Sequence, residues 1–144
     1  MKKVIIPIVI VCILFVGFIV SIPLVNNNSA KNVEEQLLEV PLPDNTEIVE
    51  SLSKAGKLTG NGNGMQYYGA ILIKSQCSRE ELSDYYSEKL PNTLVKEQKT
   101  QRIEFIEHEN LTFETPITNN DNYYIVYMYG SGKKPFSYLD IRGY

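Results

Sequence analysis

The chain has 144 residues, 43% hydrophobic and 22% charged, with 17 acidic against 14 basic side chains, two Cys and one His. That length excludes a large multidomain enzyme, and two Cys are too few for a disulfide scaffold. A formal charge of −3 runs against a nucleic-acid partner, because nucleic-acid binding needs a basic face.

Lys2 and Lys3 are followed by an uncharged run from Val4 to Val25. At about 1.5 Å per residue this run makes a helix of about 33 Å, enough to cross a hydrocarbon core of about 30 Å. The sequence therefore predicts a transmembrane helix over 4–25, with the lipid bilayer as its partner. Pro7 and Pro23 fall in the first and last turns, where a missing N–H costs little. The rival reading is a cleaved secretory signal. Against it, the run exceeds the about 7 to 15 apolar residues of a signal core, and Asn28-Ser29-Ala30 is a poor small-x-small site. Cys12 follows Val11, where a lipoprotein signal carries Gly or Ala, and reads as an apolar filler. Lys2, Lys3 and the amino terminus outweigh Lys31, which Glu34 and Glu35 follow. The positive-inside rule thus puts residues 1–3 in the cytoplasm and the C-terminal domain outside a single-pass cell-membrane protein.

Residues 26–40 read as a stalk: Asn26-Asn27-Asn28-Ser29 as a polar linker, then a short helix over Val33 to Leu38. Val40-Pro41-Leu42-Pro43 stops that helix, because a residue before Pro is pushed out of the α region. The extracytoplasmic domain spans 41–144. Thr46 to Ser53 reads as a strand with Ile48, Glu50 and Leu52 on one face. Met65 to Lys74 is a strand apolar on both faces, so it belongs inside a sheet covered on both sides. Ser78 to Leu90 is the main helix: Ser78 and Glu81 form a capping box, Leu82, Tyr85, Tyr86 and Leu90 make the buried stripe, and Pro91 ends it. Thr93 to Gln98, Ile103 to His108, Leu111 to Thr115, Tyr123 to Gly130 and Phe136 to Ile141 follow as short strand-like runs. The predicted fold class is α+β, a mainly antiparallel sheet of about five or six strands with the helix 78–90 packed on it. The second face needs cover from the stalk helix, a loop or a partner.

Gly60, Asn61, Gly62, Asn63 and Gly64 form a glycine-rich turn that leads into a strand. Phosphate loops open a helix instead, so the turn reads as a flexible hairpin or hinge. His108 is the sole His, which leaves no second imidazole for a metal site, and Glu104 and Glu107 point to opposite faces of one regular strand. Neither pattern makes a catalytic set, and no cofactor is implied. Asn119-Asn120-Asp121-Asn122 offers oxygens but lacks the spaced carboxylates of a calcium loop. Cys77 reads as a buried small residue or a free thiol. The ten Tyr outnumber five Phe and no Trp, and Tyr is favoured in binding patches. Tyr67, Tyr68, Tyr123, Tyr127, Tyr129 and Tyr138 are accordingly the candidate binding surface, with strand formers at a wettable edge as the plainer alternative.

Val40 to Thr46, the turn and strand Gly60 to Ala70, and Ser78 to Leu82 with Tyr85-Tyr86 resemble small single-pass, membrane-anchored, exported proteins of Gram-positive bacteria. The resemblance implies export and anchoring and supplies no activity. Together these readings predict a non-enzymatic extracytoplasmic domain that binds a membrane or envelope protein. The alternatives are a small envelope hydrolase or ligand-sensing domain, and a structural subunit of a membrane complex.

Overall fold

The computed structural model describes residues 2–118, 121–130 and 134–144. Its elements run α1 (Lys2–Leu38), β1 (Thr46–Gly56), β2 (Gln66–Ser75), α2 (Arg79–Lys89), β3 (Leu94–Glu97) and β4 (Tyr123–Tyr129), then one 3-10 turn at Ile141–Gly143.

The apolar run and the expected stalk are one helix. Asn26 to Ser29, expected as a linker, are helical because their side chains find partners inside α1: Asn26 Nδ2 donates to Ile22 O at 3.1 Å, and Ser29 Oγ to Val25 O at 3.0 Å. The reason the helix persists is packing. Ile22, Asn26, Ala30, Val33 and Leu37 recur at helical spacing and are all buried. Every side chain from Ile5 to Val20, by contrast, is exposed. α1 is long and apolar enough to cross a membrane.

The sheet is four-stranded, in the order β1-β2-β4-β3, with every neighbouring pair antiparallel. The fold is α+β as predicted, with four strands among the described residues rather than five or six. The expected strands 103–108 and 111–115 meet only at an isolated bridge between Arg102 and Thr112. Ile103, Ile106 and Phe113 are spent on covering a sheet face instead of extending an edge. The expected strand 136–141 is a turn followed by the 3-10 turn. In β1 a bulge between Ile48 and Glu50 breaks the alternation. Ile48 therefore packs with one face of the sheet and Leu52 with the other, not on the common face expected.

Both faces of the sheet are covered, as the two-sided apolar strands require. On one face Tyr67, Ile71 and Ile73 of β2 and Tyr124, Val126 and Met128 of β4 pack under Ala30, Val33 and Leu37 of α1 and Leu82 and Tyr86 of α2. On the other, Tyr68, Ala70, Leu72, Ile125 and Tyr127 lie under Leu58, Ile103, Ile106 and Phe113. α2 carries the predicted capping box: Ser78 Oγ accepts from Glu81 N, and Ser78 N donates to Glu81 Oε2 at 2.7 Å. α1 crosses β2 at Gly69, where a Cβ would lie 2.7 Å from the carbonyl carbon of Val33 and 2.8 Å from Cα of Glu34. Glycine is the residue that admits the helix backbone there.

Candidate functional site

The densest polar arrangement lies where α1 leaves its exposed stretch and meets the domain. Asn26 is fully buried. Its Oδ1 accepts from Tyr67 Oη at 2.6 Å, and its Nδ2 donates to Asp140 Oδ2 at 2.9 Å and to Phe136 O at 3.5 Å. Asp140, 3% exposed, accepts from Arg142 Nε at 2.9 Å and Nη2 at 2.7 Å. Arg142 also donates from Nη1 to Asn27 Oδ1 at 2.8 Å and from Nη2 to Pro23 O at 3.3 Å. The guanidinium holds the Asp140 carboxyl below its ordinary pKa, and burial pushes the Tyr67 hydroxyl up. Every polar group named here has a partner, so the arrangement is a clasp joining β2, α1 and the C-terminal segment. Backbone bonds extend it: Lys57 N donates to Arg142 O at 2.8 Å and Gly64 N to Gly143 O at 2.6 Å.

The predicted tyrosine surface is largely core. Tyr67, Tyr68 and Tyr127 are buried, and Tyr123 and Tyr129 are half-buried. The reason is the two-sided burial of β2 and β4, which turns alternate tyrosines into opposite cores. Tyr68, Tyr127 and Tyr129 form one aromatic group, with Phe105 stacked on Tyr127 at 4.4 Å between ring centroids. Lys96 Nζ caps it, 4.3 Å from the Phe105 ring centre. Burial pushes the Tyr127 hydroxyl up to about 12 and that of Tyr68 higher still. Of the six, Tyr138 is the one that stands out into solvent, 61% exposed.

The turn Gly60 to Gly64 is exposed, and Gly60 and Gly64 take positive φ of 81° and 144°. Its ends are tied: Gly60 N donates to Glu107 Oε2 at 3.2 Å, His108 Nε2 pairs with Gly60 O at 2.9 Å, and Gln66 Oε1 accepts from the amides of Leu58 and Thr59. His108 and Glu107 thus serve this turn. Asp121 pairs with Lys74 at 2.9 Å, while Asn119 and Asn120 lie outside the described residues. Among the described residues no three His, Cys, Asp or Glu side chains group as metal ligands. Cys77 is half-buried, with Sγ 3.7 Å from Asp44 O.

Asn26, Asp140 and Arg142 escaped the sequence reading. The available signal was the spacing Ile22, Asn26, Ala30, Val33, Leu37, which marks a helix face that continues through the asparagines. No family model, curated protein or solved structure matches the chain.

Proposed function

We propose that this chain is a single-pass membrane protein, with residues 1–3 cytoplasmic, 4–25 in the bilayer and the α+β domain outside, and that the domain is a non-enzymatic binding module for a membrane or envelope protein. The observation that carries the reading is the division of α1. Its side chains are exposed and apolar from Ile5 to Val20, and one face of the same helix is then buried in the domain from Ile22 to Leu37. Soluble proteins do not leave so long an apolar helix in water, and a bilayer satisfies it. Lys2 and Lys3 before the run, against Lys31 among acidic neighbours after it, support the orientation.

Orientation is tested with Asn63→Cys, in the exposed turn, combined with Cys77→Ser. A membrane-impermeant maleimide is expected to label intact cells; labelling only after permeabilisation would reverse the topology. Binding is tested by cross-linking the full chain in intact cells. A specific membrane or envelope partner is expected, and a clean monomer would refute the binding role.

A further inference from the structure

The C-terminal segment carries a group of highly exposed apolar side chains: Ile141 is 86% exposed, Tyr138 and Tyr144 61%, and Leu139 52%. They are not on a free tail. The Phe136 ring meets Phe18 of α1 edge-on, 5.5 Å between centroids. Phe136 itself takes a φ of 63°, a conformation that bulky residues avoid unless packing holds it. Leu139 and Ile141 line one wall of a cleft of about 330 Å³, and Ile19, Ile22 and Pro23 line the other. Asp140 and Arg142 fix the segment to Asn26, Asn27 and Pro23.

These contacts set a depth. Phe18 precedes Val25, the end of the proposed span, by about 10 Å of helix. Phe136, Leu139 and Ile141 therefore lie beside Phe18 to Pro23, the outermost turns of the span, while Arg142 reaches Asn27 just beyond it. We infer that Phe136 to Tyr144 is a second membrane contact, in which Tyr138, Leu139, Ile141 and Tyr144 enter the outer interface of the bilayer beside the exit of α1. The inference rests on the membrane-spanning reading of α1. Continuity with the apolar surface of α1 selects lipid as the occupant. Tyr at the headgroup level and Leu and Ile beneath it match the chemistry of that zone. Asp140 and Arg142 neutralise one another at 2.7 Å, so the segment brings no unpaired charge of theirs to the lipid.

The chain has no Trp, so one introduced indole reports alone. Full-length Ile141→Trp in phosphatidylcholine vesicles is compared with Phe15→Trp, within the span, and Leu94→Trp, on the edge strand β3. Ile141 is so exposed that the exchange leaves the core untouched, and Leu139→Trp serves as a second reporter. For both C-terminal reporters the expected result is blue-shifted emission and loss of most of it when the lipid carries bromine close to the headgroup. Leu94→Trp is expected to stay water-like and unquenched. Quenching of Phe15→Trp with water-like emission at 139 and 141 would overturn the second contact and leave the anchor intact. Blue-shifted but unquenched emission at 141 would overturn it in favour of a protein partner. Phe15 lies near the middle of the 4–25 span, so its reporter is read with lipid brominated deep in the acyl chains, and no quenching there would overturn the spanning reading itself.

Discussion

Replacing Gly69 by Ala tests whether α1 is docked on the sheet. In a strand, Ala is ordinarily better than Gly by about 0.5–1 kcal/mol, because it loses less backbone entropy. Here the new methyl would stand 2.7 Å from the carbonyl carbon of Val33 and 2.8 Å from Cα of Glu34. Carbon contacts settle at about 3.5–4.0 Å, so helix and strand must part by roughly 1 Å. Both opposing atoms belong to backbone, and no rotamer change relieves the clash. Overpacking of this kind costs about 1–3 kcal/mol. A gap of roughly 1 Å also forfeits about a quarter to a half of the dispersion contact of Val33 and Leu37 with the sheet, each worth about 1.5–3 kcal/mol when fully buried. The expected net loss is about 2–4 kcal/mol, read from urea midpoints of the full chain in detergent micelles. Gly17→Ala, with nothing within 4 Å of the new methyl, is the matched control and leaves the midpoint in place or raises it, because Ala is favoured over Gly inside a helix. A Gly69→Ala chain as stable as its parent, or more stable, would refute the docking of α1 on β2.

The remaining predictions concern hydroxyls and the clasp. Tyr67→Phe removes the donor to Asn26 Oδ1 and leaves a buried acceptor unpaired, so stability falls by about 1–3 kcal/mol in the same assay. Tyr68→Phe behaves oppositely: the Tyr68 hydroxyl is buried with no hydrogen-bond partner among the described residues, and its removal leaves stability unchanged or raised by about 1 kcal/mol. A clear loss would reveal a partner for that hydroxyl. Asp140 is held below its ordinary value of 3.8 by Arg142. A carboxyl with a depressed folded pKa contributes stability in full above its unfolded value and loses it as pH falls through the folded one. Unfolding midpoints of the parent and of Asp140→Asn should therefore differ at neutral pH and converge as pH falls below the ordinary value of 3.8 and through the depressed folded one; a constant difference would contradict the ion pair.

Local chemistry written in neighbouring residues was legible. Ser78 and Glu81 announced the start of α2, and the doubly apolar run of β2 announced a strand covered on both sides. What escaped depends on distant partners. Tyr67 and Tyr68 are adjacent and chemically identical, yet one is clasped by Asn26 and the other is sunk among aromatic rings. Only the fold separates a polar anchor from a core ring. Asn26 to Asn28 looked like a linker because asparagine favours turns in isolation; burial of Asn26 between β2 and Asp140 overrides that preference. Ile103 and Phe113 carry strand-like patterning, but the sheet face beneath them offered more apolar contact than an edge would. The C-terminal clasp could not be read because Asn26 and Asp140 meet across 114 positions of sequence.

The unbroken course of α1 through the asparagines has a consequence for encounter with other molecules. Had residues 26–40 been a flexible coil, the domain would wander about 20 Å from its exit point and present any side to a neighbour. A rigid mast removes that freedom before any neighbour arrives. With α1 in a bilayer as proposed, lateral diffusion and rotation about the bilayer normal remain, while tilt and height are set by the chain itself. Association between proteins costs several kcal/mol in lost translation and rotation, and under the proposed anchoring part of that loss is incurred on membrane insertion, before any neighbour is met. A weak contact, made always from the same side, can then be enough to hold a neighbour.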